Sequence, residues 1–202
     1  MVHLRSRRGP RLAFNVEDAQ AIADAADEAG VQTMVMLRNR FSPGGRRFLS
    51  RVANASAYGA QASFVSGAAL EGARFATPWR VARGALLDLG PHLLDLLEAA
   101  LGLVVEVSAT GDPLHWLAIT TTHEGGAIGQ SALSITTPRG SGELVCRVAT
   151  DDGEVVFDAA TAGDDAEVVS AVASEFARSV RSGRPCSQTC TRGCTCSNCW
   201  RG

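Results

Sequence analysis

No stretch of this sequence is long and apolar enough to cross a bilayer. The leucine-rich run LLDLLEAALGLVVEV is broken by Asp95 and Glu98, whereas a membrane helix needs roughly 18 to 20 apolar residues. The opening MVHLRSRRGPRLAF carries basic residues but lacks the apolar core of about 7 to 15 residues that a secretion signal requires. An excess of one charge is also missing. With 19 basic and 21 acidic residues the formal net charge is −2, so neither nucleic acid nor an anionic membrane is expected as a bulk partner. Cysteine is nearly absent until the end: Cys146 stands alone before Cys186, Cys190, Cys194, Cys196 and Cys199 crowd the tail. A cytoplasmic chain is expected, with two kinds of sequence joined near residue 186.

What is present is ample for a packed core. The 202 residues are 46% hydrophobic, enough for one domain or two small ones. Asn15 is placed to cap a helix over VEDAQAIADAADEAG, which Gly30 closes. VQTMVML then reads as a short apolar strand, although no earlier strand is there to pair with it. RNRFSPGGRRFLSRVANA predicts a loop over 42–45 and a short basic helix from about Arg46. ASFVSGAAL reads as a strand and GARFATPWRVARG as a loop. VVEVSATG, HWLAITTTHEG, AIGQSALSITT, GELVCRVATDDG and EVVFDAA predict an antiparallel meander, with EGG and DDG as the clearest hairpin turns. In the last helix Val168, Val172, Phe176 and Val180 recur every four residues, and Gly183 and Pro185 end it.

The segment GALLDLGPHLLDLLEAALG, residues 84–102, is the informative one. Asp88, His92 and Asp95 lie four and three residues apart, which puts them on one helical face. Such a polar stripe on an apolar helix is either a satisfied buried network or a site. Pro91 favours a helix starting at Gly90, because proline is best tolerated in the first turn. Asp88 would then sit just before the helix and His92 in its first turn, where polar groups can face a ligand. An aspartate beside a histidine can do proton chemistry near neutral pH.

TPWRVARGALLDLGPHLLDLLEAALG resembles the catalytic segment of the Gfo/Idh/MocA oxidoreductases, which carry a GGxxxDxGxHxxD pattern after a loop that often contains Trp-Arg. Gly84, Asp88, Gly90, His92 and Asp95 match it, and Arg83 replaces the first glycine. FNVEDAQAIADAADEAGVQTMVMLRNRFSP is similar to the family's last dinucleotide-domain helix and strand with the Arg-Phe loop after them. Residues 104–157 are similar to its substrate domain, so the likeness runs over about 12–185. It implies an α/β (α+β) fold: a substrate domain with a largely antiparallel sheet flanked by helices, preceded by the last helix and strand of a dinucleotide-binding domain. It also implies NAD or NADP as cofactor, a sugar, cyclitol or related polyol as substrate, and a homo-oligomer formed through the sheet. His92 would be the acid/base and Asp88 its partner and substrate ligand. Arg80 would lie near substrate and cofactor, and Trp79 near the cofactor; by residue type alone they are a surface cation and a core aromatic.

Two family features are missing: the GxGxxG turn that cradles a dinucleotide and the EKP motif with its catalytic lysine. The expected division is therefore 1–40 as a remnant of the dinucleotide domain, 41–185 as the substrate and oligomerisation domain, and 186–202 as a separate tail. That tail, CSQTCTRGCTCSNC, lacks the paired CxxC signature of a zinc ribbon. Back-translated with GC-rich codons and read two bases on, it becomes QPDVHAGLHLQQLLA, an amphipathic helix like the family's last, so a shifted reading frame is expected, with a disordered end or a metal-binding tail as alternatives. Residues 5–8 treated the same way give Val-Glu-Lys, the start of the missing lysine motif. The sequence thus predicts the substrate-domain part of an NAD(P)-dependent oxidoreductase, inactive alone. A non-catalytic binding or oligomerisation module is the first alternative, and a zinc protein built on the tail the second.

Overall fold

A computed structural model of the chain describes residues 16–138 and 142–186, and these fall into two compact units. The smaller contains the described residues up to Met36 together with those from Glu175 onward; the larger is Leu37–Ser174. Asn15, the basic opening, Cys190, Cys194, Cys196 and Cys199 lie outside the described residues.

In the smaller unit α1 (Val16–Glu28) buries Ala19 and Ala23, one turn apart. Gly30 ends it at φ +60°, with the Gly30 amide donating to Asp27 and the Val31 amide to Ala26. That double closure is a Schellman motif, which satisfies carbonyls the helix end leaves over. Residues 31–37 form no strand. A strand exists only with a partner, and none of the described strands pairs with this stretch; Val31 and Met36 are half exposed. Side chains take up some of its polar groups: Ser179 donates to the Gln32 side chain at 2.9 Å, and the Cys186 thiol to the Thr33 carbonyl at 2.9 Å.

The larger unit is a six-stranded sheet under helices. The strands are β1 (Ala57–Val65), β2 (Val104–Asp112), β3 (Trp116–His123), β4 (Ile128–Ser134), β5 (Leu144–Thr150) and β6 (Gly153–Asp158), in spatial order β2-β3-β4-β1-β5-β6. The hairpins at EGG and DDG form as expected. The uninterrupted meander does not, because β1 inserts between β4 and β5, running parallel to β4 and antiparallel to β5. Sheet order depends on which apolar faces can be covered, and hairpin turns do not specify it. The strand also begins earlier than ASFVSGAAL suggested, since Ala57–Val65 is the stretch whose alternate residues Ala60 and Ala62 point into the core.

Helices α2 (Pro43–Ala53) and α4 (Gly90–Leu101) cover one face of this sheet, α2 over β6 and α4 over β1. Helix α2 starts three residues before the expected Arg46. Ser42 accepts from the Gly45 amide at 3.0 Å and Pro43 takes the first helical position, a better start than a loop would be. Phe48 of α2 meets Phe157 of β6 with ring centroids 5.7 Å apart. Helix α4 buries Leu93, Leu94, Leu96, Leu97 and Leu101, apolar nearly all round because sheet and neighbouring helices enclose it. It approaches the sheet over Gly129, where a Cβ would stand 2.5 Å from Thr121 Oγ1 and 3.3 Å from Leu97 Cδ1. The last helix, α5 (Asp165–Ser182), buries Val168, but Val180 is exposed, so its apolar stripe does not extend to the end.

Candidate functional site

The leucine-rich segment spans parts of two helices. Helix α3 (Pro78–Asp88) contains a break at Gly84, whose φ of 72° and ψ of −178° leave the helical region. Residues 78–83, expected as loop, are thus helical, and the break follows them. The Ala85 amide released by the break donates to the Pro113 carbonyl at 2.7 Å, in the turn between β2 and β3. A Cβ on residue 84 would come within 2.8 Å of that same oxygen. Glycine is required there twice over, by the positive φ and by the close approach. Helix α4 restarts at Gly90 with Pro91 in its first turn, so Asp88 ends one helix and His92 opens the next.

Asp88 and Arg80 are brought together. Arg80 Nε donates to Asp88 Oδ2 at 2.6 Å, with the carboxylate side chain only 5% exposed. The guanidinium also donates to the Phe75 carbonyl at 3.2 Å and lies over the rings of Phe75 and Trp79, 5.4 Å from each centroid. Arg80 is therefore held on several sides, as a planar cation stacked on aromatics can be. Trp79 supports it from the first turn of α3.

His92 lies beside this pair without a full set of bonds. Its Nδ1 is buried with no hydrogen-bond partner among the described residues. Burial pushes its pKa down to about 4, the Asp88 charge opposing and the Arg38 charge adding to the fall. The imidazole is accordingly neutral at physiological pH. The contrast is His123 on β3, whose Nδ1 meets the Gly102 carbonyl at 2.7 Å and whose Nε2 meets Thr121 Oγ1 at 3.0 Å. His123 is a satisfied core histidine. His92 has the incomplete bonding that a ligand could complete, and an orphaned buried polar atom costs about 1–3 kcal/mol.

Asp95 has a different partner. It is 1% exposed and faces Arg40, which donates through Nε at 2.7 Å to Oδ2, lies 2.6 Å from Oδ1 through Nη2, and donates from Nη2 to the Asp95 carbonyl at 2.8 Å. The polar face is both things the spacing allowed: a buried structural pair at Asp95 and an incompletely bonded site at Asp88 and His92. Arg40 and its neighbour Arg38 were not singled out from the sequence. Both come from the run RNR, a 3-10 turn at Arg38–Arg40 packed on α4, and the signal was a cation cluster preceding the buried Phe41.

No group of three or more His, Cys, Asp or Glu side chains that could hold a metal occurs among the described residues. Cys146 is buried, and burial alone pushes its thiol up to about 12, which removes it as a nucleophile.

The His92 shift has a sign that can be measured. Its folded pKa of about 4 lies below the ordinary 6.5, so between those values the unfolded chain binds more protons and stability falls with falling pH. Moving from pH 7 to pH 5 is expected to cost the wild type roughly 2 kcal/mol beyond the loss in His92→Gln, by urea unfolding. Equal losses in the two proteins would mean that His92 is not desolvated.

A family model described as the GFO/IDH/MocA C-terminal domain matches residues 56–156. Among solved structures, an oxidoreductase domain protein from Kribbella flavida is similar with a TM-score of 0.78 at 19% identity, over 93% of this chain and 67% of that one. An oxidoreductase from Agrobacterium radiobacter, in complex with NAD+, L-tartaric acid and magnesium, gives 0.73 at 19% over 93% and 66%. A levoglucosan dehydrogenase, in complex with NADH and L-sorbose, gives 0.77 at 16% over 94% and 67%. The chain thus spans about two thirds of the length of these structures. At such identities the likeness is one of fold. No curated protein matches the chain.

Proposed function

Because the chain belongs to the Gfo/Idh/MocA oxidoreductases through their C-terminal domain, we propose that it is the substrate-facing part of an NAD(P)-dependent dehydrogenase acting on a sugar, cyclitol or related polyol. The observation that carries this is the neutral His92 imidazole, with buried Nδ1 unpartnered, next to a carboxylate fixed by Arg80. Solved proteins of like fold bind NAD or NADH, and one of them also L-sorbose, which supports the cofactor and the substrate class.

The described residues fit only the reacting end of such a cofactor. They contain no strand, glycine-rich turn and helix that could cradle a diphosphate, so that cradle must come from another segment or chain. Bound NAD or NADP supplies hydride acceptance. The chain's own contribution is to the proton and to orientation. A neutral imidazole can accept the substrate hydroxyl proton, whereas an imidazolium could not. Asp88 would accept hydrogen bonds from substrate hydroxyls and stabilise the imidazolium that forms, while Arg80 and Trp79 would border the substrate and nicotinamide. The sequence contains no lysine, all 19 basic residues being arginine, so no lysine ammonium of this sequence can share the proton relay.

The reading is tested by joining the chain to a dinucleotide-binding domain of the family and following NAD(P)H formation over a panel of sugars and cyclitols. Turnover with any of them supports it; binding of nucleotide with no turnover on the whole panel counts against it.

The assembly we propose is a homo-oligomer through the uncovered face of the sheet. That face presents Trp116, Ile128 and Val156, each close to half exposed, among small and polar neighbours such as Thr120, Gln130 and Gln61. Ile128→Glu is expected to convert a dimer or larger species to monomer in sedimentation analysis. A stable oligomer that binds no nicotinamide nucleotide would favour the non-catalytic module. No helix of the described residues is long and apolar enough to cross a membrane, and the cytoplasm is the compartment we propose.

A further inference from the structure

We propose that Arg38 is an anion-binding residue of this site and that the substrate is a polyhydroxy acid held by its carboxylate, a proposal that rests on the reading of His92 and Asp88 given above. Three arginines surround the start of α4, and two are occupied. Arg40 grips Asp95 and Arg80 grips Asp88, both carboxylates nearly closed to solvent. Arg38 differs. Its partner is Asp165, the first residue of α5, through one contact of 2.7 Å from Nη2, with the Arg38 side chain 43% and the Asp165 side chain 89% exposed. An exposed pair of this kind is worth little in water, so an incoming carboxylate can replace Asp165 at little cost. A guanidinium has five donors in a planar fork suited to a carboxylate, and this one uses a single donor on Asp165.

Position makes the exchange relevant. Arg40 ties the 3-10 turn to Asp95, one helical turn beyond His92. Arg38, two residues earlier in that turn, is thereby held beside the beginning of α4, close enough for its charge to weaken the basicity of His92. A neutral polyol would leave that cation opposing the imidazolium at the moment of proton transfer. A substrate carboxylate on Arg38 removes the opposition and fixes the substrate next to the base. Acid substrates are therefore favoured twice, in binding and in proton uptake.

The experiment uses the full chain with isotope-labelled histidine. The His92 ring signal, assigned by its absence in His92→Gln, is followed as matched ligands are added: D-galacturonate against D-galactose, D-glucuronate against D-glucose, and D-glucose 6-phosphate. At least one acid is expected to shift the signal at roughly one tenth the concentration its neutral partner needs, and Arg38→Gln to abolish that preference. Arg38→Lys should keep part of it, and Asp165→Asn, which removes the internal competitor, should strengthen it. A merely structural Arg38 would show no gain in Asp165→Asn. The proposal is overturned if neutral sugars shift the signal as readily as acids, if Arg38→Gln weakens both equally, or if only the phosphate is preferred. Neutral sugars that bind equally well leave the polyol site standing without the anion preference. If no ligand moves the signal while the amide spectrum remains that of a folded chain, the polyol site itself falls and this proposal with it.

Discussion

Asp95→Ala is expected to lower the stability of the larger unit by about 3–5 kcal/mol in urea unfolding, the usual penalty when one member of a buried ion pair is removed. The carboxylate is 1% exposed and receives two arms of Arg40, whose own side chain is 14% exposed. Deleting the acid leaves a guanidinium that cannot lose its proton and can barely reach water. The loss should be larger than simple removal of a side chain from a helix, and a second substitution identifies its origin. Arg40→Met combined with Asp95→Leu removes both charges and fills the space, so the double variant should recover most of the stability of the wild type. If Asp95→Ala costs less than about 1 kcal/mol, the pair is screened by water and behaves as a surface contact. The same variant should disturb the site indirectly, because the Arg40 clamp also sets where Arg38 lies relative to His92.

The second large effect is on turnover. In a protein joining this chain to a dinucleotide-binding domain, His92→Ala is expected to reduce kcat by about 10²–10⁴, the range over which a positioned acid/base contributes. The change should fall on kcat more than on KM, since the proton is transferred only as the bond to hydrogen breaks. His92→Gln keeps size and polarity without basicity and should be equally slow; its folding can be checked by the same urea titration used for the pH comparison. If kcat stays within tenfold of wild type for both variants, the proton role must be reassigned, and Asp88 would be the remaining candidate.

Local signals in the chain anticipated much of this structure. Gly30 closing α1, Pro91 opening α4 and the glycine turns of the β3–β4 and β5–β6 hairpins work through a few neighbouring residues, so each was legible without knowing the fold. The start of α2 was equally local, but the Gly-Gly pair after Pro43 read as loop and the cap at Ser42 outweighed it. VQTMVML shows the opposite case: apolar and β-branched residues give a strand only when another strand accepts their amides, and none of the described ones does. The insertion of β1 between β4 and β5 was likewise invisible, because pairing order depends on how α2 and α4 cover the sheet.

At the site, helical spacing alone sets which residues share a face. Asp88, His92 and Asp95 follow from spacing, the start of α4 from Pro91, and the family from the motif they compose. How those residues divide depends on what packs against that face. Asp95 is closed off by Arg40, 55 residues away in the chain, Asp88 is held by Arg80, and His92 alone is left with a buried nitrogen unbonded. Helical periodicity is a property of neighbours one turn apart, whereas ion pairing and desolvation depend on whatever distant segment packs against the face. For that reason the pattern showed where a site could be, and packing showed which residue in it is still available for chemistry.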